Sequence, residues 1–99
     1  MSNMDQYLIV LEKSSTGFSA YSPDVLGCIA TGDTIDNTLL NMRSALRLHL
    51  NAMLEDGESI PQPKGIESYL EVASESDGED YFMTHIPINE ILARQYSSN

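Results

Sequence analysis

A chain of 99 residues is long enough for one domain with a modest core, and its net charge is −10. This acidic field repels phosphate, so direct binding to nucleic acid is not expected. The lone cysteine, Cys28, excludes an intrachain disulfide, and neither a signal-peptide pattern nor a membrane-spanning apolar run occurs in the sequence. We therefore expect a single cytoplasmic domain over residues 1–99, with no membrane association.

The first third of the chain predicts three strands. Residues 6–13 alternate two apolar faces, residues 18–21 form a second short strand, and residues 28–31 form a third after a Pro23-Asp24 turn. The connections are too short for a parallel crossover, so an antiparallel meander is expected. Asp24 is interpreted as a turn residue whose carboxylate accepts hydrogen bonds from nearby amides.

A long amphipathic helix is predicted next. Asp33 or Thr34 can cap its first turn, Asp36 suits the helix dipole there, and Gly57 lies where a left-handed stop belongs. The apolar residues of this helix recur with the helical period and form two groups. The main apolar stripe contains Ile35, Leu39, Met42, Leu46, Leu50, Met53 and Leu54, whereas Ala45, Leu48 and Ala52 extend it toward a second surface.

The rest of the chain is dominated by acidic residues. Residues 55–80 contain nine acids and one lysine, Lys64. We predict an acidic flexible segment over about 64–80, with one or two helical turns at 66–73 and an exposed loop at 74–80. A fourth strand at 81–86, closed by Pro87, and a short helix at 88–95 complete the chain. The predicted fold class is α+β, a β-β-β-α-β antiparallel sheet covered by one long helix, an order that resembles the start of ribonuclease-H-like folds.

Few side chains carry a pattern typical of catalysis or metal binding. His49, His85 and Cys28 have no recognisable ligand spacing, so no metal, no cofactor and no enzyme activity are expected. A metal-dependent nuclease is a third alternative, although none of its candidate acids sits beside another in the middle of a strand. Those acids are Asp5, Glu12, Asp24 and Asp36.

Two arginines and the sheet itself raise the question of self-association. Arg43 and Arg47 lie four residues apart on the polar side of the helix, where they serve solubility or pair with acids across a subunit contact. The open face of the sheet or a free edge strand is a place where two copies can dimerise.

One run of residues resembles a known family. The run is Tyr21-Ser22-Pro23-Asp24-Val25-Leu26-Gly27-Cys28, then Gly32-Asp33-Thr34, a long helix, and Leu54-Glu55-Asp56-Gly57-Glu58. It is similar to the N-terminal domain of HicB-like antitoxins. The residues that carry the resemblance, with an expected structural role, are Tyr21, Pro23, Asp24, Gly27, Cys28, Gly32, Asp33, Thr34 and Gly57.

The resemblance implies a function and partners. HicB-like antitoxins bind HicA, a small basic ribonuclease with a double-stranded-RNA-binding-domain-like fold, and so stop mRNA cleavage; members form dimers or larger assemblies. Glu55, Asp56 and Glu58 are the candidate residues for attracting such a basic partner. The residues after Pro87 are too few for the DNA-binding module of many members, so none is expected here. The alternative is a stand-alone HicB-like oligomeric interaction or regulatory domain without a toxin partner.

Overall fold

The fold is a four-stranded sheet with three helices, and the computed structural model describes residues 5–75 and 81–96. The predicted order of three strands, a long helix, a fourth strand and a terminal helix is confirmed, and one more helix precedes the fourth strand. None of the helices in these ranges is long and apolar enough to cross a membrane. The elements are β1 Gln6–Lys13, β2 Phe18–Ser22, β3 Val25–Gly32, α1 Ile35–Glu55, α2 Ile66–Glu75, β4 Tyr81–Pro87 and α3 Ile88–Tyr96.

The sheet places β1 at its centre and β3 at one edge. The strand order is β3-β2-β1-β4, and every neighbouring pair is antiparallel, as the short connections predict. Tyr7, Ile9 and Leu11 point to one face of β1 and Leu8 and Val10 to the other, and all five are buried. Both faces of the central strand therefore need an apolar cover.

Helix α1 covers the face that carries Tyr7. Met42, Leu46 and Leu50 are fully buried against it, which confirms the main stripe. Leu54 is partly exposed and Leu48 is 76% exposed, so the buried stripe is narrower than the sequence predicts.

The two ends of α1 form as the sequence predicts. Thr34 is the N-cap, and its Oγ1 accepts a hydrogen bond of 3.1 Å from the Asn37 amide. At the other end the amides of Gly57 and Glu58 donate to the carbonyls of Leu54 and Met53. This pairing is a Schellman motif, and Gly57 supplies the positive φ of 81° that it needs.

Helix α2 covers the opposite face of the sheet. Ser68 and Val72 are buried, and Val72 packs with Leu8 and Val10 of β1. This corrects the prediction of a flexible segment over 64–80, because residues 66–75 form a ten-residue helix that closes an apolar face the first helix cannot reach. Residues 76–80 of the predicted acidic loop lie outside the described residues.

The turn between β2 and β3 lengthens the third strand. Val25 pairs with Ser22 directly after the Pro23-Asp24 turn, whereas Ile29 is the next residue in register, opposite Tyr21. Residues 26–28 therefore form a bulge. The strand begins three residues earlier than the sequence predicts, and the bulge directs both Val25 and Cys28 into the core.

Helix α3 packs beside α1 on the same face of the sheet. Ile91 is fully buried, the Arg43 guanidinium lies 3.0 Å from Glu90 Oε1, and Arg47 Nε donates to the Ile91 carbonyl. Both arginines thus bind α3 within the chain. The sequence predicted that these arginines serve solubility or a subunit contact, whereas the structure shows them bound to a helix of the same chain.

Candidate functional site

The Asp24 carboxylate joins three distant segments at one end of the sheet. Its Oδ2 accepts from the Leu8 amide at 2.9 Å, and its Oδ1 accepts from the Lys64 amide at 3.0 Å and from Ser68 Oγ. These donors lie 16, 40 and 44 residues away, so the expectation that Asp24 bonds amides near it in the chain is corrected. Asp24 is buried and holds β1, the segment after α1, and α2 in one place.

The segment from 57 to 65 carries the chain from one face of the sheet to the other. It leaves α1 through Gly57 and reaches α2 through Gly65, and the Tyr7 hydroxyl donates to the Pro61 carbonyl at 2.8 Å. Burial and the nearby Asp24 charge raise the pKa of Tyr7 to about 12, so this phenol stays protonated as a donor at neutral pH. The bonds of Tyr7 and Asp24 therefore fix where α2 begins.

A groove opens between α2 and the end of β4. It has a volume of about 530 Å³; Leu8 and His85 line it on the sheet side, and Ile66, Tyr69 and Leu70 line it on α2. Ile66 and Leu70 are largely exposed, although both are apolar. The Tyr69 hydroxyl lies 2.6 Å from His85 Nε2, which ties α2 to β4 across the groove. Exposed apolar side chains beside a preformed groove suit contact with an apolar side chain of another molecule.

The acidic residues proposed for partner attraction lie at the end of α1. Glu55, Asp56 and Glu58 are all exposed, and none forms an ion pair with a described residue. Acids at this position oppose the helix dipole, whose negative end lies here, and no basic residue occupies the last turn. Their placement therefore weakens the helix end and concentrates negative charge in solvent.

Most motif residues of the β2–β3 region are buried in the turn between these strands. Pro23, Asp24 and Cys28 are buried, and Tyr21 is half-buried on the α2 side of the sheet. Gly27 has a φ of 85°, which lies in the left-handed region that favours glycine. Burial raises the pKa of the Cys28 thiol, which keeps it in the unreactive protonated form.

The remaining motif residues lie where β3 passes into α1. Gly32 ends β3, Asp33 is exposed in the connection, and Thr34 caps the helix. At the far end of the helix, Gly57 ends it. Gly57 thus lies among the acidic residues proposed to attract a partner, whereas Gly32, Asp33 and Thr34 lie at the opposite end of the helix.

No group of three or more His, Cys, Asp or Glu residues gathers in a metal-binding arrangement within 5–75 and 81–92. The His85 ring is hydrogen-bonded to the Tyr69 hydroxyl, and the Asp24 carboxylate accepts three hydrogen bonds. The surfaces that stand out are the exposed acids at the end of α1 and the apolar groove beside α2. Both are suited to contact with another macromolecule.

Sequence reasoning did not find the groove. Ile66, Tyr69 and Leu70 repeat at the spacing of one helix face, and Ser68 and Val72 follow on the adjacent face. That spacing was the available signal for an amphipathic helix. The acidic composition and the prolines at 61 and 63 instead favoured a flexible segment with only one or two helical turns at 66–73.

Comparison with known protein families shows which family this chain belongs to. The model of the HicB-like antitoxin of bacterial toxin–antitoxin systems matches residues 7–99. This chain belongs to the HicB-like antitoxin family. The match contains the motif of the β2–β3 turn, helix α1, the acidic residues at its end, and helix α2.

One relative matches most of this chain. An uncharacterized 14.9 kDa protein in the rep-hol intergenic region of Haemophilus phage HP1 is 34% identical over 83 residues, which are 84% of this chain and 60% of that protein. The chain thus spans 60% of the length of this relative.

Solved structures share the fold. A chain of the HicA3 and HicB3 toxin–antitoxin complex is 28% identical with a TM-score of 0.60, and the match covers 79% of this chain and 93% of that one. The antitoxin HicB of Burkholderia pseudomallei is 24% identical with a TM-score of 0.67, over 88% of this chain and 67% of that one. The likeness to the Burkholderia protein concerns the fold alone.

Proposed function

We propose that this chain is an antitoxin that binds and neutralises a HicA-like mRNA interferase in the cytoplasm by direct protein contact, with no enzyme activity of its own. The observation that carries this proposal is the match to a chain of the HicA3 and HicB3 toxin–antitoxin complex, which covers 93% of that chain at 28% identity. Family membership over residues 7–99 supports the antitoxin class.

The charge of the chain supports a basic partner. The net charge is −10, and Glu55, Asp56 and Glu58 stand exposed at the end of α1 without ion-pair partners among the described residues. A toxin that binds RNA carries positive charge to attract phosphate. Opposite charges raise the rate of encounter, so the acidic end of α1 attracts the toxin before close contacts form.

The groove beside α2 is our proposed contact for affinity. Ile66 and Leu70 are exposed apolar residues beside a cavity of about 530 Å³. The same helix carries exposed Glu67, whereas the Glu71 carboxylate pairs with Lys64 at 3.1 Å. An apolar side chain set among basic residues on the toxin fits this combination. Burial of such an anchor supplies affinity that surface charge alone does not.

Reconstitution tests the proposed function. A HicA-like protein encoded in the same genome is expressed alone and together with this chain, and cleavage of cellular mRNA is followed. Co-expression is expected to stop cleavage, and the two proteins are expected to purify together. Cleavage that continues while the folded chain is present in excess would contradict the proposal.

A charge-reversal pair tests the electrostatic part. Changing Glu55→Lys together with Glu58→Lys is expected to reduce the association rate roughly tenfold at low salt, and to weaken its dependence on salt. The matched control, Glu12→Lys with Asp33→Lys, changes the net charge equally at other exposed positions. Equal on-rates for the two double variants would contradict local attraction by the end of α1.

The second candidate is an oligomeric HicB-like interaction domain without a toxin. The observation that favours it is the uncharged edge strand β3, Val25–Gly32, which offers a contact for a second copy rather than for a basic protein. Self-association without binding to any HicA-like protein of the same genome would support this candidate over the antitoxin.

A further inference from the structure

Helix α2 is attached to the sheet by few buried groups. Within residues 66–74 only Ser68 and Val72 are buried, and the others are exposed. The Ser68 hydroxyl donates to the Asp24 carboxylate, and Val72 packs on Leu8 and Val10 of β1. Helix α1 differs, because a buried stripe holds it against the sheet over most of its length. The packing that holds α2 is therefore much weaker than the packing that holds α1.

The other bonds of α2 lie in contact with solvent. The Tyr69 hydroxyl lies 2.6 Å from His85 Nε2, and Glu71 pairs with Lys64 at 3.1 Å, and both contacts are exposed. Exposed ion pairs contribute little to stability, because water and salt screen the charges. Ser68 and Val72 therefore supply most of what keeps α2 on the sheet.

Helix α2 is also too weak to persist away from the sheet. It has ten residues, whereas isolated helices shorter than about 12–15 residues are only marginally stable in water. Its last turn carries no basic residue, and the Glu71 and Glu75 charges oppose the helix dipole there. The loss of its contacts and the loss of its helical structure are therefore expected to be one event.

The chain is fixed directly before α2 and can turn at Gly65. The Tyr7 hydroxyl donates to the Pro61 carbonyl, and the Lys64 amide donates to Asp24 Oδ1 at 3.0 Å. Gly65 comes next, with a φ of 72°, and apart from its chain neighbours no described group lies within 4 Å of the position that a Cβ would take. A fixed segment thus ends beside a glycine that is free to change conformation.

We propose that α2 is a hinged cover, which turns about Gly65 and leaves the sheet as a unit while the sheet and α1 stay folded. The hydrogen bond from Ser68 to Asp24 is the clasp that holds it closed. Opening removes the α2 wall of the groove and uncovers the apolar side of β1 beneath it. The groove therefore exists only in the closed form. This inference concerns the chain alone and does not depend on toxin binding.

The rest of the fold keeps its support when α2 opens. The central strand β1 is paired on both sides, with β2 and β4, and α1 covers its other face. Asp24 retains the amides of Leu8 and Lys64 as donors. Opening uncovers mainly Leu8 and Val10, so it requires less free energy than unfolding of the whole domain. A side chain that binds in the groove favours the closed form, since only that form contains the groove.

A Val72→Cys variant of the full chain tests the opening. The introduced thiol lies under α2, whereas Cys28 lies in the core that α1 covers, so the two thiols of one molecule report on different events. A thiol reagent is added in excess under native conditions, and peptide mass mapping follows each thiol. Each rate is divided by the rate of the same thiol in the urea-unfolded chain. The introduced thiol is expected to react roughly tenfold faster than Cys28, or more. Equal corrected rates would overturn the proposal.

Removal of the clasp tests the role of Ser68. In the Val72→Cys background, Ser68→Ala is expected to raise the rate of the introduced thiol roughly tenfold, because a hydrogen bond to a carboxylate is lost. The rate of Cys28 is expected to stay the same, since the core under α1 is untouched. An equal acceleration of both thiols would contradict the proposal, because it would mean that α2 opens only with the whole domain.

The matched control is Ser74→Ala on the same helix. The Ser74 hydroxyl is exposed and donates to the Glu71 carbonyl within α2, so its removal leaves the clasp intact. This variant is expected to change neither thiol rate. If Ser74→Ala accelerates the introduced thiol as much as Ser68→Ala does, the bond from Ser68 to Asp24 is not the clasp.

Hydrogen exchange of the unaltered chain gives a second readout that needs no substitution. The Val72 amide is expected to exchange with a smaller dependence on urea than the Ile9 amide of β1, because opening of α2 exposes less surface than unfolding of the domain. Equal urea dependence of the two amides would show that α2 leaves the sheet only when the whole domain unfolds. The toxin assay measures inhibition and not opening, so either proposal can fail alone.

Discussion

Removal of the Asp24 carboxylate is expected to destabilise the fold strongly. Asp24→Ala leaves three donors without their acceptor: the amides of Leu8 and Lys64 and the Ser68 hydroxyl. The Leu8 amide and the Ser68 hydroxyl are buried, whereas the Lys64 amide is part-buried. An unsatisfied buried donor costs about 1–3 kcal/mol, so the two buried donors together cost about 2 kcal/mol or more. That is a large part of the roughly 5–15 kcal/mol by which a domain is stable. Asp24→Asn keeps one acceptor oxygen and is expected to cost less.

Urea unfolding at pH 7 measures this cost. Far-ultraviolet circular dichroism follows the transition at one protein concentration for all variants, because any self-association would couple stability to concentration. The control is Asp33→Ala, which removes an exposed acid from the same motif and is expected to change the unfolding free energy by about 0.5 kcal/mol or less. If Asp24→Ala costs no more than Asp33→Ala, the reasoning about Asp24 is wrong.

Three further predictions concern the core. Leu46→Ala is expected to cost about 2–5 kcal/mol in urea unfolding, whereas exposed Leu40→Ala should cost little, and equal costs would refute the core assignment. The pKa of Tyr7 is raised to about 12, so the protonated phenol contributes its full stabilisation below pH 10, and this contribution is lost as the pH rises toward 12. Tyrosinate absorbance should show one tyrosine that ionises later than the others, and Tyr7→Phe should abolish that late ionisation. Burial raises the pKa of Cys28, so a thiol reagent should modify the native chain far more slowly than the unfolded chain; similar rates would show an accessible thiol.

Local patterns in the sequence predict much of this fold. The 3.6-residue period identifies the buried stripe of α1, and Gly57 predicts its end. The start is predicted at Asp33 or Thr34, and Thr34 is the residue that caps the helix. The alternation in β1 predicts a strand with two apolar faces. Each of these features depends on residues within a few positions of one another, which is why the sequence alone contains the signal.

Contacts between distant residues were not predictable in the same way. The donors to Asp24 are up to 44 residues away, and Arg43 meets Glu90 across 47 residues. Helix α2 depends on tertiary packing, because Val72 stabilises the helix only when it is buried against Leu8 and Val10. The groove needs both α2 and β4 in place, so it could not be identified before the fold was known.

A titration of toxin activity tests the central claim most directly. A purified HicA-like protein from the same genome cleaves a defined RNA, and the chain is added in increasing amounts. We predict that cleavage falls to background once the chain is in molar excess, and that Leu70→Lys requires a higher concentration for the same effect. Undiminished cleavage in the presence of excess folded chain would contradict the antitoxin function.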